Sequence, residues 1–347
     1  MKVLHLTHYY DPHIGGVEKH VFRVVAHHAA EGIESTIITK LHQESLPRTE
    51  VIEGTTVIRI PVASEVFKWS HKLSVWWQIW KLRNSILQAD IIQIHDVFWW
   101  ILPVLPLVRI KQKKVFMTFH GYEGNELPTW KQKLAHKSAA VLTDGSLCIG
   151  GFHQKWYGVT PTLVSFGAVT APAHKIVQKK KRTHKKRAVF LGRLEADNGI
   201  LMYLEALRKL DTTGGWSLDV YGEGSLRKKA EAFAARHKLT VRFHGFVKNA
   251  DALLGKYDVA FVSRYLSILE ALAAKVPVIA YSHNELTKTY IEETPFAKWI
   301  TVSSSATEVA EQLQHVSELS TEASGWARSQ TWQLLSNVYL QLWKTKK

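Results

Sequence analysis

The chain has 347 residues, 46% hydrophobic and 22% charged, which fits a soluble globular protein long enough for two cores. Its net charge of +15 favours anionic partners: phosphorylated substrates, anionic lipid or nucleic acid. One cysteine, Cys148, excludes an internal disulfide, the opening MKVLHLTHYY lacks the apolar core of a signal peptide, and no apolar run reaches the roughly 20 residues of a membrane span, so a cytoplasmic protein is expected, with surface contact to a membrane left open.

Val3–Thr7 reads as a short buried strand, followed by the loop HYYDPHIGG and a helix from about Val17 to Glu31. Gly15 and Gly16 at that junction either let backbone approach a ligand or simply form a turn. Further strands are expected at 35–39, 56–60, 91–95, 115–119 and 139–142, with helical patterns between several of them. The alternation predicts a doubly wound α/β sheet. His120 follows the strand VFMTF and His95 ends another. In such sheets ligands bind beyond the carboxyl ends of strands, which places both histidines for polar contact with substrate. The alternative is a structural histidine, one among 18. No H-E-x-x-H, cysteine pair or D-x-D is present, and no metal is expected.

Two segments of this half are rich in aromatic and basic residues. Val66–Arg83 places Trp69, Leu73, Trp76 and Trp80 on one helical face, with Lys68, His71, Lys72 and Lys81 largely off it. Val97–Lys114 is oily, interrupted by proline and followed by a basic flank. Both fit either a membrane-interface anchor or packing against the sheet. The basic run through residues 171–187 then reads as a linker.

The strand–helix rhythm restarts with AVFLG, a helix from about Asn198 to Leu210, SLDVYG, a helix from Ser225 to His237, and VRFHG. Arg193 stands at the carboxyl edge of AVFLG, placed either to fork onto phosphate oxygens or to pair with Glu195 or Asp197. Gly222-Glu223-Gly224 forms another loop open to close approach. Between 259 and 280 a strand (259–263), a helix opening near Ser267 and a second strand (276–280) form a crossover. Ser267 and Glu270 have capping-box spacing. A second reading has the amides of Ser267, Ile268 and Leu269 binding a diphosphate while Glu270 holds sugar or ribose hydroxyls. Trp332, Leu335, Tyr339 and Leu342 recur at helical spacing in the final stretch, Thr321–Lys347, as in a packing helix.

In order along nearly the whole chain, IGGVEKHV, TFHG, LGRLEADNGI, VYGEG, HGFV and SILEALAAKVPVIA resemble the motifs of the retaining GT-B glycosyltransferases of family 4. The resemblance implies two Rossmann-like doubly wound domains facing a central cleft. The acceptor domain would be 1–170, the nucleotide-sugar domain 188–320, and the helix 321–347 would pack back toward the first. It implies that Arg193 and the Ser267–Leu269 amides hold the diphosphate, that Glu270 holds the ribose, and that Gly222, Phe246 and Val247 lie beside the nucleotide. By the same resemblance His120 lies near the sugar and the reacting centre, and Gly15 and Gly16 let the N-terminal loop close over the phosphates. His13 and His95 are the acceptor-side candidates.

The activity implied is metal-independent, retaining hexosyl transfer from a nucleotide-diphosphate sugar, with no further cofactor. The acceptor would be a glycan or a lipid-linked sugar, handled peripherally at the anionic inner face of the plasma membrane. A non-catalytic GT-B protein that binds nucleotide or glycan in a membrane assembly is the alternative. Nucleic acid is not an expected partner, because no recognition motif accompanies the charge. The chain departs from the family pattern twice. Asn198-Gly199 replaces the usual Lys-Gly, leaving Arg264 and Lys275 as substitute cations, and no glutamate precedes Glu270 in its loop.

Overall fold

The computed structural model describes residues 1–63, 68–122, 126–170, 186–210 and 215–345. The first strands are β1 (Lys2–Thr7), β2 (Glu34–Lys40), β3 (Thr49–Ile52), β4 (Thr55–Ile60), β5 (Ile91–His95), β6 (Lys114–Phe119), β7 (Gly145–Ile149) and β8 (Leu163–Ser165). They form one sheet in the order β3-β4-β2-β1-β5-β6-β7-β8, parallel except for the β3/β4 pair. Near-continuous apolar strands such as Ile91–His95, buried at every position, are what a sheet covered on both faces requires.

A second sheet holds β9 (Lys186–Leu191), β10 (Trp216–Tyr221), β11 (Val241–Gly245), β12 (Val259–Phe261), β13 (Val278–Tyr281) and β14 (Thr301–Ser303), all parallel, in the order β11-β10-β9-β12-β13-β14. Its core gathers Phe190, Leu204, Leu218, Val259, Phe261 and Ile279 around the Ile200–Leu210 helix. Each sheet has a topological switch point, where strands on either side of a central strand lead away in opposite directions. In the first it falls between β1 and β5, in the second between β9 and β12.

The chain divides into two compact units. The first joins Met1–Tyr122 and Pro128–Ser165 to the C-terminal piece Trp332–Lys347, and the second is mainly Phe166–Thr331. The expected final helix is two helices: Thr321–Ser329 belongs to the second unit, and Trp332–Lys344 packs on the Gly16–Ala30 helix in the first. Residues 171–185 of the expected basic linker lie outside the described residues.

Two local expectations are corrected, and the two-way reading of 97–114 resolves toward packing. Residues 139–142 end the Trp130–Leu142 helix, whose Thr129/Gln132 capping box fixes its start, and the strand comes afterwards at Gly145–Ile149. The alanine-rich run KSAAVL is a strong helix former, and one apolar turn at its end mimicked a strand. The oily segment 97–114 is largely core: Val97, Phe98, Trp100, Ile101, Val104 and Val108 are all buried. Along the Lys68–Lys81 helix the exposed face is Trp69, Leu73, Trp77 and Trp80, while Val75 and Ile79 are buried. Trp76 is drawn inward, its indole N–H donating to the Trp99 carbonyl at 2.8 Å.

Candidate functional site

At the switch point of the second sheet, β9 and β12 lie side by side in register, Val259 opposite Ala188 and Phe261 opposite Phe190. Their carboxyl ends therefore bring the loop 192–199 against the start of the Tyr265–Ala273 helix. Asp197, nearly buried, ties the two together. It pairs with Arg264 and lies 3.6 Å from the Arg193 guanidinium, which is two-thirds exposed. Asn198 locks the same corner, its Nδ2 donating to the Arg193 carbonyl at 2.9 Å and its Oδ1 accepting from Arg264 Nε at 3.2 Å. One carboxylate here faces two guanidiniums, and the outer cation points to solvent. Both readings of Arg193 meet here: it pairs with Asp197 and remains exposed, while Glu195 is held by the Ser225 amide at 2.8 Å and its hydroxyl. Those Ser225 bonds hold the Glu195 carboxyl below its ordinary pKa.

The helix starts earlier than its capping-box spacing predicts. Arg264 is its N-cap, in extended conformation and without a side-chain cap. Ser267 is therefore its third residue, and Glu270 lies inside the helix rather than closing a box. The amide of Ile268 already donates to the Arg264 carbonyl at 2.9 Å, and both Ile268 and Leu269 are fully buried. Neither serves as a free donor. The Tyr265 amide donates to the Tyr290 hydroxyl at 3.2 Å, which leaves Leu266 and Ser267 as the first-turn donors without an intrahelical acceptor. Lys275 follows the far end of this helix and cannot substitute for the absent lysine; Arg264 occupies that corner instead.

Gly222 has a close-packing reason to be glycine. Its φ is +141°, and a Cβ there would stand 1.9 Å from the Gly192 carbonyl oxygen. The loops after β9 and β10 thus pack back to back, with the Leu194 amide donating to the Glu223 carbonyl at 2.8 Å. Phe246, just past β11, is 48% exposed and offers an aromatic face, with Val247 half-buried beside it. Nearby, His244 stacks on Tyr221 at 4.6 Å and bonds to Asp219 at 2.8 Å. Burial raises the Asp219 pKa, but the bonds from His244 and Arg187 outweigh it and bring it below its usual value.

In the first unit the carboxyl edge carries histidines. His120, after β6, is half-buried, and its backbone amide donates to Asp96 Oδ1 at 3.0 Å. Its Nε2 lies 2.9 Å from His95 Nδ1, and His95 Nε2 lies 3.2 Å from Nδ1 of His5 on β1. His95 is 1% exposed, which corrects its reading as an acceptor-side residue: it supports His120 from beneath. His20, on the Gly16–Ala30 helix, meets the His120 ring edge-on at 4.6 Å and bonds to the Tyr339 hydroxyl at 2.8 Å. Burial pushes His5 and His20 down to about 3 and His95 and His120 well below the usual imidazole value, so all four are neutral near pH 7.

Gly15 is the N-cap of the Gly16–Ala30 helix, and the space a Cβ would need is taken by the Glu18 carboxylate, 2.2 Å from that position. The positive helix end is thus already faced by an anion, which also bonds to His13 Nδ1 at 2.7 Å. His13 in turn stacks on Tyr9 at 4.1 Å, partly exposed in the loop after β1. The sequence reading missed His5 and His20 and took Tyr339 as a packing residue only. The signal was polar residues at positions of strands and helices otherwise read as core, His5 in VLHLT and His20 in VEKHV. Among the described residues no three His, Cys, Asp or Glu side chains converge to hold a metal ion.

Comparison with known proteins follows the same division. Residues 14–160 match the model of Glycosyltransferase Family 4, and residues 173–329 match Glycosyl transferases group 1. A glycogen synthase of Mycobacterium tuberculosis is 24% identical over 325 residues, spanning 80% of this chain and 77% of its own. Among solved structures, sucrose-phosphate synthase from Thermosynechococcus elongatus superposes with a TM-score of 0.78 at 14% identity, covering 99% of this chain and 98% of its own. HepE of Anabaena, solved with UDP and glucose, gives a TM-score of 0.73 at 13% identity, with 98% of each chain covered. Two family models that meet near the boundary between the sheets, with full-length fold matches, make the chain a glycosyltransferase of the GT-B fold, belonging to the family 4 type.

Proposed function

We propose that the protein is a retaining hexosyltransferase that draws its sugar from a nucleotide-diphosphate donor held at the β9/β12 switch point. The observation that carries this reading is the pair Arg193 and Arg264 around Asp197, beside the open amides of Leu266 and Ser267. Glycosyl transfer requires stabilisation of charge on the departing diphosphate, and guanidiniums with helix-end amides supply it without a metal ion. Glu270 then takes the ribose hydroxyls, and Phe246 and Val247 flank the base. HepE was solved with UDP and glucose, which supports a nucleotide sugar as the co-substrate here. His120 and His13 lie on the acceptor-bearing unit.

Calorimetry with UDP and GDP tests the donor site. Arg193→Ala removes a charge-assisted contact of roughly 1.5–3 kcal/mol and should weaken binding about tenfold or more. Unchanged affinity for both nucleotides would overturn the assignment.

The acceptor in this reading is a lipid-linked or surface glycan at the inner face of the plasma membrane. What supports it is the stripe of Trp69, Leu73, Trp77 and Trp80, exposed by 77%, 59%, 59% and 39%, with Lys72, Lys81 and Arg83 over the indole rings. An aromatic face edged by cations suits an anionic headgroup layer. No helix among the described residues is long and apolar enough to cross a membrane, so contact would be at the surface.

A further inference from the structure

The first unit holds a buried line of three imidazoles whose proton arrangement can be worked out. A neutral imidazole has one N–H donor and one acceptor nitrogen. His5 Nδ1 faces His95 Nε2 at 3.2 Å, and His95 Nδ1 faces His120 Nε2 at 2.9 Å. Only two neutral arrangements satisfy both contacts. In the first, His5 Nδ1–H donates to His95, His95 Nδ1–H donates to His120, and His120 carries its own proton on Nδ1. In the second every bond is reversed, and His120 carries its proton on Nε2, pointing inward.

The far end of the line distinguishes them. His5 is fully buried and its Nε2 has no hydrogen-bond partner. The second arrangement strands an N–H at that nitrogen, and orphaned buried N–H groups are the rarer and costlier defect. The first leaves only a lone pair there and moves the spare N–H to His120 Nδ1, on the half-buried ring at the carboxyl edge of β6. No bond from that nitrogen is made within the described residues. A positively charged His95 would still require His120 Nε2 to accept, and burial disfavours that charge.

A second network lies beside the line. Trp343 Nε1 can only donate, and it does so to Gln93 Oε1 at 2.9 Å. That turns the Gln93 amide nitrogen onto Thr118 Oγ1 at 3.0 Å, and Thr118 meets the Tyr339 hydroxyl at 3.1 Å. The Tyr339 hydroxyl in turn meets His20 Nε2 at 2.8 Å. The His20 ring stands edge-on to His120 without contributing charge.

We propose that His95, backed by His5, is a positioning residue that fixes His120 as the Nδ1–H tautomer, so that His120 acts on substrate as a neutral hydrogen-bond donor to a sugar or phosphate oxygen and not as a base. The assignment rests on the reading of His120 as a substrate-facing residue, but its test does not. In water a free neutral histidine favours the Nε2–H form, so the buried line holds His120 against its own preference.

The test is long-range proton–nitrogen NMR on the full chain with 15N-labelled histidine, using His120→Asn to assign the ring. The wild type should show a protonated Nδ1 and a bare Nε2 at His120 near pH 7. In His95→Leu the His120 ring should drift toward the Nε2–H form, and kcat should fall about tenfold with nucleotide affinity unchanged. His5→Leu, which is close to histidine in volume, should move the same nitrogens less. A wild-type ring protonated on Nε2 would overturn the proposal, as would His120 shifts indifferent to both substitutions. The wild-type spectrum decides the tautomer even if a variant fails to fold. Absence of glycosyl transfer with every donor would remove the functional reading while leaving the tautomer result intact.

Discussion

Toward the carboxyl ends of β1, β5 and β6 the first unit gathers imidazoles until none of them holds a charge, whereas beyond β9 and β12 the second sets two guanidiniums on one carboxylate and leaves the outer one two-thirds exposed. Both clusters occupy the carboxyl edge of a parallel sheet, yet one is neutral and the other cationic. The difference follows from intrinsic proton affinity. An imidazole near pKa 6.5 loses its proton to modest desolvation, while a guanidinium above 12 keeps it under any burial a protein imposes. Histidine thus suits a site that must offer a hydrogen bond without a field, and arginine suits one that must meet a phosphate.

Acid should break this contrast most strongly. The buried histidines have folded-state values far below 6.5, with His28 and His153 at about 4 and His5 and His20 at about 3. Between those values and 6.5 the unfolded chain binds protons that the folded chain refuses. The stability they contribute is therefore complete above about pH 6.5 and is lost as pH falls toward 4 and then 3, at about 1.4 kcal/mol per pH unit for each group. Hydrogen exchange followed by mass spectrometry from pH 7 to 5, corrected for intrinsic rates, should show deprotection of β1, β5 and β6 well before β9 and β12. Equal deprotection of both sheets would count against it.

Gly222→Val comes next. A side chain at φ +141°, aimed at the Gly192 carbonyl, should cost on the order of 3 kcal/mol by urea unfolding. The cost should fall in the second unit alone. Arg264→Ala should be costly in two ways, because it uncovers the nearly buried Asp197 carboxylate as well as removing a cation. We expect about 1–3 kcal/mol of lost stability together with weaker nucleotide binding. Arg193→Ala, on an exposed side chain, should leave stability within about 0.5 kcal/mol and change binding only. Similar unfolding midpoints for the two variants would remove the distinction between inner and outer cation. The smallest effect on stability is at the exposed tryptophan stripe: Trp69, Trp77 and Trp80 changed together to Ala should leave the unfolding midpoint nearly unmoved, and should remove flotation with anionic vesicles if the proposed surface contact is made there.

Most strands were legible in the sequence because parallel strands buried on both faces are written as plain apolar runs, as in IIQIH and VAFVS. Helix starts were less so. The Ser267/Glu270 spacing marked the cap three residues late, since Arg264 caps the helix with extended backbone and no side-chain bond. The cationic corner was half visible. Arg193 announced itself by following a strand, but its relation to Arg264, 71 residues later, depends on β9 and β12 becoming neighbours. The histidine line was least visible of all. His5, His95 and His120 come from three separate strands or their ends, and only the β1-β5-β6 order brings their rings into contact. A periodicity analysis sees each as one polar residue in an oily run.

The return of Trp332–Lys344 to the first sheet makes that unit discontinuous along the gene. Its tail supplies Tyr339 and Trp343, which hold His20 and Gln93 in place. A chimera meant to exchange the first unit between related proteins must therefore carry two grafts, one from each end of the reading frame. A single crossover would pair one parent's imidazoles with the other parent's clasp.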